Sequence, residues 1–199
     1  MNEPSLQLIV GLGNPDKNLL GTRHNVGFWF LDFLSAKFEK NFVLSKKFES
    51  ELFDLEKNAK KLTFMKPLTY INNSGIPVKK FIKNTNIKAE NILIVYDDLD
   101  LSVGKTRVKL GGSSAGHKGL ENIIEQLGSK NFWRLRIGIG KPIDKSDTVK
   151  YVLGKPSGTD RDKIIESISY CIVHCDDFFD INFSKLMNIL NSENSDNGV

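Results

Sequence analysis

Short apolar runs set between helix-periodic segments constrain this chain more than any other feature. LQLIVGL (6–12) closes on glycine and predicts a buried strand. Val26, Trp29, Phe30, Phe33, Leu34 and Phe38 then recur at helical spacing, so a helix is predicted from near Arg23, with Thr22 as its N-cap. KLTFM (61–65) predicts another strand, and NSGIPVKKFIK (73–83) a turn and a helix. NILIVY (91–96) predicts a further buried strand, closed by the acidic turn DDLD. KTRVKL (105–110) and RLRIGIG (134–140) alternate, which places Lys105, Arg107 and Lys109 on one face and separates Arg134 and Arg136 from Leu135, Ile137 and Ile139. HKGLENIIEQLG (117–128) predicts a helix ending at Gly128, and a long helix is predicted from Asp160 to Phe179. Strands alternating with helices predict a single α/β domain, a mixed and mostly parallel sheet flanked by helices. That domain is expected over residues 1–190, with the polar tail NSENSDNGV (191–199) disordered.

The 199 residues suffice for one substantial core, and 40% hydrophobic with 26% charged residues is an ordinary soluble composition. The apolar run FWFLDFL is short and broken by Asp32, so no membrane span is expected. MNEPSLQLIV has no basic segment ahead of its apolar residues, unlike a secretory signal. Cys171 and Cys175, with His174 between them, are too few ligands for structural zinc and read as buried reduced thiols. A cytoplasmic location is the expectation.

Charge is uneven. Residues 105–141 hold eight lysines and arginines against two glutamates, while the whole chain carries +4. Such a patch predicts a polyanionic partner. The glycines do not complete a nucleotide motif. After Gly11 and Gly13, a dinucleotide fingerprint needs glycine where Asp16 stands, and Gly138 and Gly140 meet Ile143 at the same place. GGSSAGHKG has the glycine spacing of a phosphate loop but lacks its lysine-hydroxyl pair, reading His117, Lys118 and Gly119 instead. Tight backbone at strand ends is the remaining role for these glycines.

Several polar residues fall at predicted strand ends and helix starts: Asn14, His24, Asn72, Asp97, His117 and Lys118. In open α/β sheets, sites gather at the carboxyl ends of strands, and that geometry can bring these residues together.

Six blocks carry a resemblance. LIVGLGNP, TRHNVG, INNSG, YDDLDL, KLGGSSAGHKGL and RLRIGIGKP, spanning 8–142, occur in the order found in bacterial peptidyl-tRNA hydrolases, and VKYVLGKP (149–156) matches a further block. The resemblance implies an α/β fold and hydrolysis of the ester joining a peptide to the 3′ end of tRNA. It also implies a monomer without cofactor or metal. By position, His24 corresponds to the catalytic base, since an imidazole titrates near neutrality and can take a proton from attacking water. Asp97 corresponds to the carboxylate that orients it, a triad-like arrangement with water in place of serine. Asn14 matches the asparagine that distinguishes peptidyl from aminoacyl ends, and Asn72 one that binds near the scissile ester. Tyr70 stands where the family has an aromatic facing the substrate end, and Lys109 and Arg136 match a pair proposed to hold the tRNA 5′ phosphate. His117 is expected behind the catalytic residues.

This chain departs from the family at three of these places. Leu19 stands where tyrosine is usual, Asp16 where glycine follows Asn-Pro, and Lys118 where asparagine follows His117. Lys118 could stabilise an oxyanion, attract phosphate, or depress the pKa of a nearby His24. Two other readings stand beside hydrolysis. One is a non-catalytic RNA-binding relative, which the changes at Leu19 and Lys118 raise. The other is a metal-dependent phosphohydrolase using Asp97, Asp98 and Asp100.

Overall fold

The computed structural model describes residues 6–173 and 183–192. Strands β1 (Leu8–Gly11), β2 (Val43–Ser45), β3 (Ser50–Lys57), β4 (Lys60–Pro67), β5 (Ile92–Asp98), β6 (Thr106–Leu110) and β7 (Trp133–Gly138) form one sheet, in the order β2-β3-β4-β1-β5-β7-β6. The central run β4-β1-β5-β7 is parallel, and β3, β2 and β6 add antiparallel pairs at its edges. The α/β class and mixed sheet therefore match the sequence expectation. β1 and β5 are buried along their whole length, as parallel strands covered on both faces must be.

Helices α1 (Val26–Lys37), α5 (Gly158–Val173) and α6 (Phe183–Ser192) cover one face, and α2 (Gly75–Thr85) and α3 (Lys118–Leu127) cover the other; a short α4 (Thr148–Val152) precedes α5. On the first face Phe30, Leu34, Ile164 and Ile168 pack on Ile9, Phe64, Val95 and Leu135. On the second, Val78, Phe81, Leu120 and Ile123 pack on Leu8, Val10, Ile94 and Tyr96. Among the described residues no helix is long and apolar enough to cross a membrane.

Gly11 answers why the first strand ends in glycine. A Cβ there would lie 2.3 Å from the Gly27 carbonyl oxygen, and one on Gly27 would lie 2.4 Å from Val95 O. The start of α1 thus lies directly on β1 and β5, closer than any side chain permits. These small residues serve helix–strand contact.

Some local expectations change. The segment opening at Arg23 is a 3-10 turn over Arg23–Asn25, and the α-helix begins at Val26. Thr22 does not cap it: its hydroxyl donates to Leu19 O, 2.7 Å away, closing the preceding turn. Phe33 is exposed, since the buried stripe runs through Phe30, Leu31 and Leu34. Arg134 is 0% exposed, so the β7 arginines do not share an exposed basic face. At the C-terminal end of the described residues, α6 continues through Ser192 and Asn191 is tied to β6, with Val108 N–H donating to its Oδ1 at 3.2 Å. Cys171 is buried and reduced, and burial pushes its thiol up to about 12. His174, Cys175 and the predicted end of the long helix lie outside the described residues, as does 193–199.

Candidate active site

β5 delivers Asp97 at its carboxyl end, next to the 3-10 turn that carries His24. His24 Nδ1 lies 2.8 Å from Asp97 Oδ1, and His117 Nε2 lies 3.0 Å from the same oxygen. The carboxylate side chain is 2% exposed and the His24 ring 12%. The two imidazoles stand 4.9 Å apart, centre to centre.

Tautomers follow from the partners. Leu120 N–H donates to His117 Nδ1 at 3.2 Å, so the proton of His117 is on Nε2 and is given to Asp97. Asp97, being a carboxylate, also takes a proton donor from His24 Nδ1, which leaves His24 Nε2 as the nitrogen with a lone pair. Burial opposes the Asp97 charge, but the facing His24 and His117 outweigh it and hold the carboxyl well below the usual range. For His24, burial lowers the pKa, and the charge and hydrogen bond of Asp97 outweigh burial and hold the ring above its ordinary value. The pair is therefore a base with a fixed tautomer, backed by a carboxylate that stays ionised well below the usual carboxylate range.

His24, Asp97 and His117 also bring metal-ligand atoms within 4.8 Å of one another. A metal would need a lone pair on His117 Nε2, the nitrogen that the Leu120 N–H contact leaves protonated. The donor set is thus used as a hydrogen-bond chain. The acidic-cluster reading fails for a related reason: the three carboxylates diverge. Asp97 faces the histidines, Asp98 Oδ2 accepts from Arg136 Nε at 2.6 Å, and Asp100 pairs with Lys141 at 2.7 Å.

Asn14 is 3% exposed and is braced on two sides. Its backbone N–H donates to Asn25 Oδ1 at 3.0 Å, and Asn25 Nδ2 returns a bond to Asn14 O at 2.9 Å. Its side-chain Oδ1 accepts from Ile71 N–H at 2.9 Å. Asn14 thereby joins the turn of His24 to the turn carrying Tyr70 and Asn72, and keeps its amide NH2 for another acceptor. Tyr70 and Asn72 are exposed beside it. A cleft of about 450 Å³, lined by Pro15, Asp16, Leu68, Thr69, Tyr70 and Asn73, opens on this side.

A model of the family described as peptidyl-tRNA hydrolase matches residues 8–197. The chain belongs to the peptidyl-tRNA hydrolase family. It is 42% identical to a peptidyl-tRNA hydrolase of Coprothermobacter proteolyticus, over 94% of this chain and 97% of that one. It is also 42% identical to one of Aquifex aeolicus, over 85% of this chain and 88% of that one. A crystal structure of peptidyl-tRNA hydrolase from Acinetobacter baumannii superposes with a TM-score of 0.91 at 34% identity, covering 96% of this chain and 97% of that one.

The remaining residues expected from the family pattern fall into two groups. Lys109 and Arg136 come together on the β6–β7 edge: burial, then the nearby Arg136 and Arg134, pull the Lys109 ammonium below its ordinary value. Arg136 is committed to Asp98. Lys118 and Leu19 are engaged with partners other than the histidines. The Lys118 side chain is 72% exposed and pairs with Glu121 at 3.0 Å, and half-buried Leu19 lends its carbonyl to the Thr22 turn. Lys118 therefore gives no sign of pressing its charge on His24.

Three supporting residues escaped the sequence reading. Asn25 is 0% exposed and braces Asn14 as described. Arg23 sends Nη1 to the carbonyls of Tyr151, Gly154 and Lys155 and lies 4.0 Å over the Tyr151 ring, which ties the His24 turn to the VKYVLGKP block. Arg134 is the third. Adjacency to His24 within TRHN was the available signal for Arg23 and Asn25; nothing local marked Arg134 as buried.

Proposed function

We propose that this chain hydrolyses the ester between a peptidyl, N-acylated, group and the 3′ end of tRNA, releasing free tRNA and the peptide. The observation that carries this is the His24–Asp97 contact of 2.8 Å, which leaves His24 Nε2 as a poised base in a member of this family. Nε2 takes a proton from water as the water oxygen bonds to the ester carbonyl carbon. The tetrahedral intermediate then collapses, the bond from carbon to the ribose oxygen breaks, and the imidazolium returns its proton to that leaving oxygen. Asp97 fixes the tautomer and stabilises the imidazolium between these steps.

Asn14 offers its amide NH2 to the acyl carbonyl that a free aminoacyl end lacks, and a free α-ammonium would meet a donor there. Asn72 and Tyr70 contact the substrate end on the same side. The acceptor-end phosphate goes to Lys109 and Arg136, with Leu19 and Lys118 as outlying tRNA contacts, in a chain acting as a monomer in the cytoplasm. The test is incubation with N-acetyl-aminoacyl-tRNA and with the same aminoacyl-tRNA unacetylated. Cleavage of the first and sparing of the second supports the reading; equal rates, or binding without cleavage, overturns it in favour of an unselective esterase or an RNA-binding relative.

A further inference from the structure

The loop 111–116 leads into His117 and has little to hold it in shape. Gly111, Gly112, Ala115 and Gly116 have φ of 68°, 103°, 48° and 82°, all left-handed, and Gly112, Ser113, Ala115 and Gly116 are exposed. Yet His117 at its end must meet Asp97 across 3.0 Å. Backbone bonds at the two ends help: Gly111 N–H donates to Phe132 O at 3.0 Å, and His117 N–H to Ser114 O at 2.9 Å. Between them the loop is gripped by Arg134, whose Nη2 donates to Gly112 O and Nη1 to Ser113 O, each at 2.6 Å.

Arg134 has the largest fully buried side chain described. Its Cζ lies 4.8 Å from the Phe132 ring, and its Nε has no partner. Asp98, the carboxylate on the neighbouring strand, is taken by Arg136. A guanidinium buried this deeply, and spent on two backbone carbonyls and the Tyr96 side chain, is a costly way to fill a core. An apolar residue would fill the space and leave both carbonyls unheld. Lysine keeps the charge but lacks the planar fork that spans two acceptors.

We infer that Arg134 is a positioning residue for the reaction proposed above: by bracing Gly112 and Ser113 it sets where His117 meets Asp97, and so how firmly Asp97 holds the His24 ring. His117 N–H and His24 N–H share one oxygen of Asp97, so a donor lost from His117 concentrates the carboxylate charge on His24. The imidazolium is then favoured and the free base becomes scarcer near neutrality. The groups facing this junction are Asp97 from β5, His24 from the turn before α1, and the Tyr96 ring, 5.1 Å from His117.

The test uses Arg134→Lys and Gly112→Ala, which leaves Arg134 in place, strains the loop at φ 103° and brings a Cβ within 2.7 Å of Lys109 Nζ. Ring ¹⁵N shifts of His117 and His24 are followed against pH, alongside kcat and KM on N-acetyl-aminoacyl-tRNA. In both variants the His117 Nε2 signal is expected to leave its parental position and the acidic limb of the rate profile to move to higher pH. In Arg134→Lys, kcat should fall roughly tenfold with KM held within about twofold, since the loss is in the chemistry and not in binding. Gly112→Ala is read by the His117 signal and the acidic limb alone, because it also presses on Lys109. His117 signals and an acidic limb superimposing on the parent's overturn the inference, whatever the activity does. If Arg134→Lys does not fold, Gly112→Ala decides by the same readouts. A parent that cleaves no peptidyl-tRNA while His117 still responds to the substitutions removes the reaction reading and leaves the bracing in place.

Discussion

His24 Nδ1 meets Asp97 Oδ1 across 2.8 Å inside a site where the carboxylate is almost wholly shut from water. Burial alone would make His24 a weaker base, and the Asp97 charge reverses that sign. The acidic limb of cleavage is therefore expected to have its midpoint above 6.5, the ordinary histidine value. Asp97→Asn removes the reversing charge, so the limb should move to lower pH while the rate falls by roughly 10²–10⁴-fold as tautomer control is lost. pH–kcat/KM profiles of the two proteins check this, and coincident limbs would show that Asp97 does not act on His24.

The same contact sets a stability window. His24 is raised in the fold, so its contribution is present below 6.5 and is lost as pH rises through its folded value. Asp97 is lowered, so its contribution is present above 3.8 and is lost as pH falls toward its folded value. The melting-temperature gap between the parent and Asp97→Asn should be widest between these two limits and should narrow on either side. A gap that is flat with pH contradicts the assignment.

Lys118→Asn restores the residue usual in the family. Because Lys118 is exposed and paired with Glu121, the change should leave the acidic limb in place and alter stability by no more than about 1 kcal/mol. A limb displaced upward would mean that the ammonium reaches His24 in solution.

Lys109→Ala should weaken tRNA binding and reduce the magnitude of its salt slope by about one unit. Arg136→Ala should do the same and also destabilise the fold by roughly 1–3 kcal/mol, because it leaves the 6%-exposed Asp98 side chain without its partner. Binding isotherms at several salt concentrations and a melting curve separate the two effects. An unchanged slope in both variants would make this edge a solvated surface only.

The parallel heart of the fold was legible because its strands are continuous apolar runs between helix-periodic segments, and β5 announced Asp97 by the abrupt change from NILIVY to DDLD. The β2 and β3 strands were not. SELFDLEK is an outer, mostly half-exposed strand with scattered polar residues, and its hairpin turns on Asn58 and Ala59, both at positive φ, without the glycine that usually signals such a turn. The candidate base and its carboxylate were legible by position in the family pattern. The distinction between Arg134 and Arg136 was not: both lie on one face of β7, and only the packing of the 111–116 loop buries the first. Lys118 looked threatening because sequence places it next to His117, whereas the helix turns its side chain toward Glu121.

Gly27→Ala tests the close approach that aligns the His24 turn with β5. Its Cβ would press on the backbone of both Leu12 and Val95, which cannot yield as a flexible side chain can. A loss of about 1–3 kcal/mol is expected, equivalent to several degrees in Tm for a chain of this size. Parental stability would show that α1 can lift from the sheet without cost.

Single-turnover cleavage of N-acetyl-aminoacyl-tRNA by the parent and by His24→Ala tests the central claim most directly. The account predicts a loss of roughly 10²–10⁴-fold in the cleavage rate, the contribution of a positioned base, with tRNA affinity nearly unchanged. Cleavage by His24→Ala within a few-fold of the parent would contradict it.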